Sequence, residues 1–251
     1  MVATTSILSG CSILDMMASA AVLDALDSLR KGRFVLVYDA DGREEETDMV
    51  IASQHITAEA VRAMRKDGGG LVCTTADASI QDALGLPFLS EVFKDMEQKY
   101  PVMGALMPND IPYDVKSAFG ITVNHRKTFT GITDNDRALT IAQFSDLARR
   151  AVATGDGWGV KEFGRNFRAP GHVHLLNASR NILETRFGHT ELSTALVIMA
   201  GLVPSATVCE MMGDDGNALS KREAMDYAKK KNLVFLEGAD IITAWKEFAK
   251  G

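Results

Sequence analysis

Asp39-Ala40-Asp41-Gly42-Arg43-Glu44-Glu45-Glu46-Thr47-Asp48 packs six carboxylates and one arginine into ten residues. Phe34-Val35-Leu36-Val37-Tyr38 precedes it and Met49-Val50-Ile51-Ala52 follows it. Both runs are short, apolar and bounded by polar residues, so both read as buried strands. The acidic stretch that joins them therefore sits at the mouth of a sheet, where crowded carboxylates repel each other unless a cation neutralises them. A solvated acidic turn is the plain alternative. Two features argue against it. In extended chain Glu44, Glu46 and Asp48 fall on one side, and Arg43 adds a planar fork suited to phosphate or carboxylate. A cation site and an anion binder in one loop point to a phosphorylated substrate held with a metal.

Upstream, Val22, Leu26 and Leu29 recur at helical spacing, which predicts a helix from about Asp15 to Lys31, stopped by Gly32. Downstream, Thr57 caps a helix carrying Val61 and Met64 that ends before Gly68-Gly69-Gly70, and Leu71–Thr74 reads as a third strand. Residues 85–117 hold four of the six prolines and no clean period, so they read as an irregular excursion, a candidate lid. Phe119–Asn124 predicts a strand, and the polar loop Thr130–Arg137 feeds a helix over about Thr140–Arg150. Residues 154–171 are glycine-rich and read as irregular, with a strand Gly171–Leu176 entered through Pro170.

Arg186, Gly188, His189 and Thr190 then crowd the start of a helix on which Leu192, Ala195, Leu196 and Met199 recur, closed by Gly201. Backbone N–H groups and the positive dipole end gather there, so phosphate binds readily; alternatively Thr190 is a simple cap and His189 packs. Ala206–Met212 predicts a strand, and Glu210 is its odd member, a carboxylate in an apolar run. It either faces water or faces a cleft, where it suits a general acid or base. Ser220-Lys221-Arg222-Glu223 is a capping box opening a basic helix to Lys231, Leu233–Leu236 is a last strand, and a helix follows from Asp240. Strands and helices alternate throughout. The expected fold is α+β, a single layered domain whose helices cover a mixed, twisted sheet, with residues 1–18 a loose lead-in and 19–251 one catalytic domain.

Composition sets outer bounds. Charged residues make up 24% and apolar ones 46%, as in ordinary globular chains. A net charge of −6 argues against nucleic acid as a partner, since phosphate backbones demand basic surface. Three widely spaced cysteines, Cys11, Cys73 and Cys209, make neither a disulfide framework nor a cysteine zinc site and fit a reducing compartment. No apolar run reaches the ~18 residues that span a membrane, and no Lys or Arg precedes Arg30, which disfavours secretory and mitochondrial targeting. The expected location is the cytoplasm.

Four motifs now stand in order: Arg43-Glu44-x-Glu46-x-Asp48, Pro170-Gly171-His172-Val173, Arg186-x-Gly188-His189-Thr190-Glu191, and Cys209-Glu210 with Asp214-Asp215-Gly216. Together they closely resemble the 3,4-dihydroxy-2-butanone 4-phosphate synthase family of riboflavin biosynthesis, over about residues 20–245. Asn109–Asp114 and Asn124–Gly131 look most like archaeal members. The resemblance implies conversion of ribulose 5-phosphate to 3,4-dihydroxy-2-butanone 4-phosphate and formate, with Mg2+ or Mn2+. It implies Glu44 and His189 as metal ligands, with Glu46 joining them. It implies Arg43, Glu44, Asp48, Thr130, Arg186, Gly188, His189 and Thr190 as substrate contacts, and Asp48, His172 and Glu210 as catalytic residues, their individual steps left open. A homodimer with active sites near the subunit contact is expected. Ala40 and Gly42 interrupt an acidic run that is unbroken in many bacterial members, and Thr47 stands where those members usually carry glycine. Many members are fused to a GTP cyclohydrolase with a cysteine zinc site, an activity this cysteine-poor chain is expected to lack.

The chemistry fits the residues. Removing a proton beside a ketone leaves an enediolate whose negative charge a divalent ion stabilises as a Lewis acid. Two other classes remain on the sequence alone: another metal-dependent phosphosugar isomerase or aldolase sharing the enediolate step, and a non-catalytic metal or nucleotide binder. Formate release separates the first from the synthase, and turnover separates the second.

Overall fold

The computed structural model describes residues 19–108, 110–114 and 116–250. The expected lead-in 1–18 lies outside them, as does the start of the helix expected from Asp15. The first described helix, α1 (Ala20–Arg30), is capped by the Ser19 side chain, which accepts the Val22 N–H. Strands β1 (Val35–Tyr38) and β2 (Thr47–Ala52) pair antiparallel, with Val35 opposite Val50 and Tyr38 opposite Thr47. Every residue of both is buried, because helices cover both faces. That is why they read as unbroken apolar runs and not as alternating ones.

Thr57 caps α2 (Ala58–Ala63) as expected, and a π-helical turn, Met64–Gly68, follows. Strand β3 (Cys73–Ala76) begins two residues later than its sequence suggests. The reason is local: Leu71 is exposed, and its N–H donates to the Glu210 carboxylate instead of joining a ladder. Next comes α3 (Ala78–Leu84), capped by Asp77.

Two short helices, α4 (Leu89–Met96) and α5 (Pro101–Ala105), occupy part of the excursion expected to be irregular. Neither buries a residue, so neither leaves a core-facing period to read. After β4 (Phe119–His125), Thr133 caps α6 (Asp134–Thr154), which is longer at both ends than the helix expected there. The stretch 154–171 is corrected too. It contains α7 (Trp158–Asn166) and the start of β5 (Phe167–Asn177). Gly159 and Gly164 lie inside α7, where glycine is a poor helix former and hides the helix from a composition-based reading. Pro170 sits where β5 bulges out of register, between the pairs Asn124–Arg168 and Val123–Val173.

The chain closes with α8 (His189–Met199), β6 (Ala206–Glu210), α9 (Lys221–Lys231), β7 (Val234–Glu237) and α10 (Gly238–Phe248). Half of the expected capping box forms: the Ser220 side chain accepts the Glu223 N–H, while the Glu223 carboxylate accepts the Ser220 hydroxyl. The seven strands form one sheet in the order β4-β5-β3-β6-β2-β1-β7. The β1–β7 and β3–β5 pairs are parallel and the others antiparallel, so the sheet is mixed and the fold is α+β.

Helices α1, α8 and α10 pack on one face, and α2, α3, α6 and α9 on the other. Strand β1 shows the division: Val35 and Val37 join the first face, whereas Leu36 packs on Ala224 and Ala228 of α9. Buried Phe144, Ile141 and Leu147 anchor α6, each such side chain contributing about 1.5–3 kcal/mol. On β2 the same alternation puts Asp48 on the face of Val50 and Ala52, toward α8. A carboxylate thus enters the layer beneath a helix that begins with His189.

Candidate active site

The cleft lies on that face, where the acidic β1–β2 loop meets the N-terminus of α8. It encloses about 320 Å³ and is lined by Arg43, Glu44, Glu46, Asp48, Arg186 and Glu210 among others, room enough for a small sugar phosphate. Strand register places the two innermost carboxyls: Asp48 of β2 stands directly opposite Glu210 of β6. Residues so paired project to the same face. Glu210 therefore faces the cleft and not bulk water, and its Oε2 accepts the Leu71 N–H at 2.7 Å.

The loop itself is not extended. Gly42 and Glu45 take positive φ, and the Asp39 carboxylate gathers the turn by accepting the N–H groups of Glu44 at 3.0 Å and Glu46 at 3.1 Å. Glu44, Glu46 and Asp48 still reach one cleft, but through this turn and not through strand alternation. Asp39 is 3% exposed and also accepts from Arg43 Nη1 at 3.1 Å.

His189 opens α8 beneath the loop. Its Nδ1 lies 3.0 Å from Glu44 Oε2, and its Nε2 lies 3.2 Å from the Glu46 carbonyl and 3.8 Å from Asp48 Oδ1. Burial disfavours the imidazolium, but attraction to Asp48 and Glu44 outweighs it and raises His189 to about 9. Burial pushes Asp48 up to about 8 despite His189, with Glu210, Glu44 and Glu46 adding to the rise. Glu46 is also raised, by burial first and then by Glu44 and Glu210. Burial works the same way on Glu44, yet His189 and Arg43 overcome it and hold that carboxyl below the ordinary range.

The other end of the cleft is built around two arginines. Gly188 is the N-cap of α8 and carries no capping side chain. A Cβ there would lie 2.7 Å from Arg43 Nη2 and 2.8 Å from Arg186 Nη1, so only glycine lets both guanidiniums close over this backbone. Arg186 Nη1 donates to Glu191, which is fully buried and also accepts the Ser179 N–H at 2.9 Å. Arg43 Nη2 donates to Asp114 Oδ2 at 2.6 Å, and Arg186 Nη2 pairs with the same oxygen at 2.8 Å. The Tyr113 ring lies 5.3 Å from the Arg43 guanidinium.

The donor set fits a divalent cation. Asp48 Oδ1 is buried without a hydrogen-bond partner. Asp39, Glu44 and His189 each offer an atom, and these atoms lie within 4.8 Å of one another. Burial and the neighbouring acids raise Asp48 to about 8, a strain that a cation among them would relieve. The sequence names Glu44, Glu46 and His189. Among the described residues the cluster drawn together is Asp39, Glu44 and His189, with Glu46 turning its carbonyl to His189 and its side chain to the cleft.

The chain gathers most of the expected site residues at this cleft, and two lie elsewhere. Thr130 and His172 sit together on the far part of the sheet. Asn124 joins them, its Nδ2 3.4 Å from the Thr130 carbonyl and 3.1 Å from His172 Nδ1. The His172 N–H donates to Asn124 Oδ1 at 2.8 Å. Beside them Phe129 is 94% exposed and Ile132 51% exposed. Three residues were not legible as site members: Asp39, Asp114 and Glu191. Glu191 had a signal, an acid in the first turn of a helix five residues from Arg186. Asp114 lies in the proline-rich stretch, where nothing periodic marks it.

The sequence profile of 3,4-dihydroxy-2-butanone 4-phosphate synthase matches residues 23–244. The protein of that name from Methanothermobacter thermautotrophicus is 49% identical over 228 residues, covering 90% of this chain and 96% of that one. The one from Methanosarcina mazei is 44% identical over 224 residues, covering 88% of this chain and 89% of the other. A crystal structure of 3,4-dihydroxy-2-butanone 4-phosphate synthase in complex with two magnesium ions superposes with a TM-score of 0.69 at 26% identity, over 89% of this chain and 95% of that chain.

Proposed function

The chain belongs to the 3,4-dihydroxy-2-butanone 4-phosphate synthase family, and from that premise we propose that it converts D-ribulose 5-phosphate to L-3,4-dihydroxy-2-butanone 4-phosphate and formate in riboflavin biosynthesis. It is a carbon–carbon lyase working with Mg2+ or Mn2+. One observation carries this reading: a phosphate-sized anion site of two arginines at a helix start adjoins a carboxylate–imidazole cluster in the same cleft.

Arg43, Arg186 and the backbone from Gly188 to Thr190 hold the phosphate and fix the sugar's direction. Glu44 and His189, with Asp39 or Glu46, would hold the divalent ion. When bound, that ion supplies Lewis-acid stabilisation of charge on the sugar oxygens. Asp48 and Glu210 face each other across β2 and β6 and move protons to and from the sugar, each such transfer typically worth about 10²–10⁴-fold in rate. The test is formate release from ribulose 5-phosphate, which an isomerase or a non-catalytic binder would not give. In that assay Arg186→Ala chiefly raises KM, by the equivalent of roughly 1.5–3 kcal/mol for a lost charge-assisted hydrogen bond. Equal turnover of dephosphorylated ribulose would contradict the phosphate assignment.

His172 and Thr130 complete the site from a second copy of the chain. Support comes from their absence from the lining of the cleft within one chain and from the exposed Phe129 and Ile132 beside them, apolar surface that an interface would cover. Light scattering at working concentration is expected to give a homodimer; a fully active monomer would refute it. The proposed location is the cytoplasm, with Cys73 and Cys209 as free buried thiols; recovery from a membrane or secreted fraction would contradict it. No helix among the described residues is long and apolar enough to cross a membrane.

A further inference from the structure

We propose that Asp114 is an internal occupant of the phosphate subsite, which the substrate's phosphate displaces on binding. The inference rests on the reading of Arg43, Arg186 and the start of α8 as that subsite.

A single oxygen, Asp114 Oδ2, accepts from Arg43 Nη2 at 2.6 Å and lies 2.8 Å from Arg186 Nη2. One anionic oxygen bridging two guanidiniums beside an uncapped helix start is the position a phosphate oxygen would take. Arg43 also meets Asp39 and Glu44, and Arg186 also meets Glu191, but Asp114 alone of these carboxylates is shared by both arginines.

Arg186 has two carboxylate partners, and their settings decide which one leaves. Glu191 is fully buried on α8 and also accepts the Ser179 N–H. Its departure would strand a buried guanidinium and a backbone donor. Asp114 sits on the irregular segment between α5 and β4, with its side chain 10% exposed and, among the described residues, its side-chain polar contacts only to the two arginines. The chain on its C-terminal side is fastened independently. Lys116 Nζ lies 2.8 Å from Glu91 Oε1 and 3.5 Å from the centre of the Phe88 ring, and the Ala118 carbonyl accepts the Asn177 N–H at 2.8 Å. Tyr113 and Asp114 can therefore lift from the arginines without unravelling that anchorage. A phosphate dianion offers more charge and more oxygens than one carboxylate, so it wins the exchange.

The cost of displacement appears in the affinity. If the open form is about a tenth of the population, apparent affinity is about tenfold below the intrinsic value. The test is calorimetric titration of inorganic phosphate into metal-free protein, comparing the native chain with Asp114→Asn, Asp114→Ala and Arg186→Ala. The expected result is roughly tenfold tighter binding in both Asp114 variants and much weaker binding in Arg186→Ala. Unchanged or weaker binding in both Asp114 variants, with Arg186→Ala still defective, would overturn the proposal. Asp114 would then be a fixed partner of the arginines, and the subsite reading would stand. Phosphate binding indifferent to Arg186→Ala would overturn the subsite reading and the proposal together.

Discussion

Glu210→Gln is expected to lower kcat by at least about 10²-fold, the least that a positioned proton-transfer group contributes, while the protein folds and still binds ribulose 5-phosphate. Glu210 ends β6, lines the cleft and faces Asp48 across the ladder. Its one backbone partner, the Leu71 N–H, needs only an oxygen acceptor, and the glutamine side chain retains one. The surroundings are shaped to its volume: a Cβ on Gly70 would come within 2.3 Å of Glu210 Oε2, and glutamine is nearly isosteric with glutamate. What the substitution removes is the carboxylate's charge and its capacity to carry a proton, so the loss should fall on kcat with KM little changed. Near-normal turnover would show a spectator carboxylate. A variant that fails to fold would show that the carboxylate is structural. Circular dichroism beside steady-state kinetics distinguishes the three outcomes.

The legible parts of this protein are those whose cause is local. The acidic loop between two apolar runs announces a hairpin at a sheet mouth, and β1 and β2 are that hairpin. The Ser220 and Thr57 caps each reach only three residues along the chain, and both form. What escapes has a distant cause. Helices α4 and α5 bury nothing, so no stripe records them. Asp114 joins the site through arginines 71 and 72 residues away: Arg43 at 2.6 Å and Arg186 at 2.8 Å. No spacing rule reaches that far. Asp39 is the instructive middle case. It lies inside the quoted stretch, yet its part, gathering the Glu44 and Glu46 N–H groups, belongs to a turn that a strand-like reading of Glu44, Glu46 and Asp48 overlooks. The resemblance to a known family supplied roles for residues, but it could not say that Thr130 and His172 stand apart from the rest within one chain.

Removing divalent metal should abolish formate release altogether, and magnesium or manganese should restore it. The warrant is the donor set of Asp39, Glu44 and His189 beside Asp48. Asp48 Oδ1 is buried and unpartnered, and burial with its acidic neighbours lifts that carboxyl to about 8. Despite its own burial, His189 is drawn up to about 9 by Asp48 and Glu44. His189 thus holds a proton at neutral pH that it would give up to serve as a ligand. A divalent ion placed among Asp39, Glu44 and His189 would displace that proton and balance the acids. Glu44→Ala and His189→Ala each remove one member of the set, and each should be inactive. Binding can be read apart from turnover: at a concentration about 100-fold above Kd, magnesium should stabilise the native chain by about 2.7 kcal/mol. That gain, seen as a rise in Tm, should shrink or vanish in His189→Ala. Loss of activity with an undiminished magnesium-induced rise would move His189 from ligand to another role. Full activity in chelator, or in both alanine variants, would remove the metal from the mechanism.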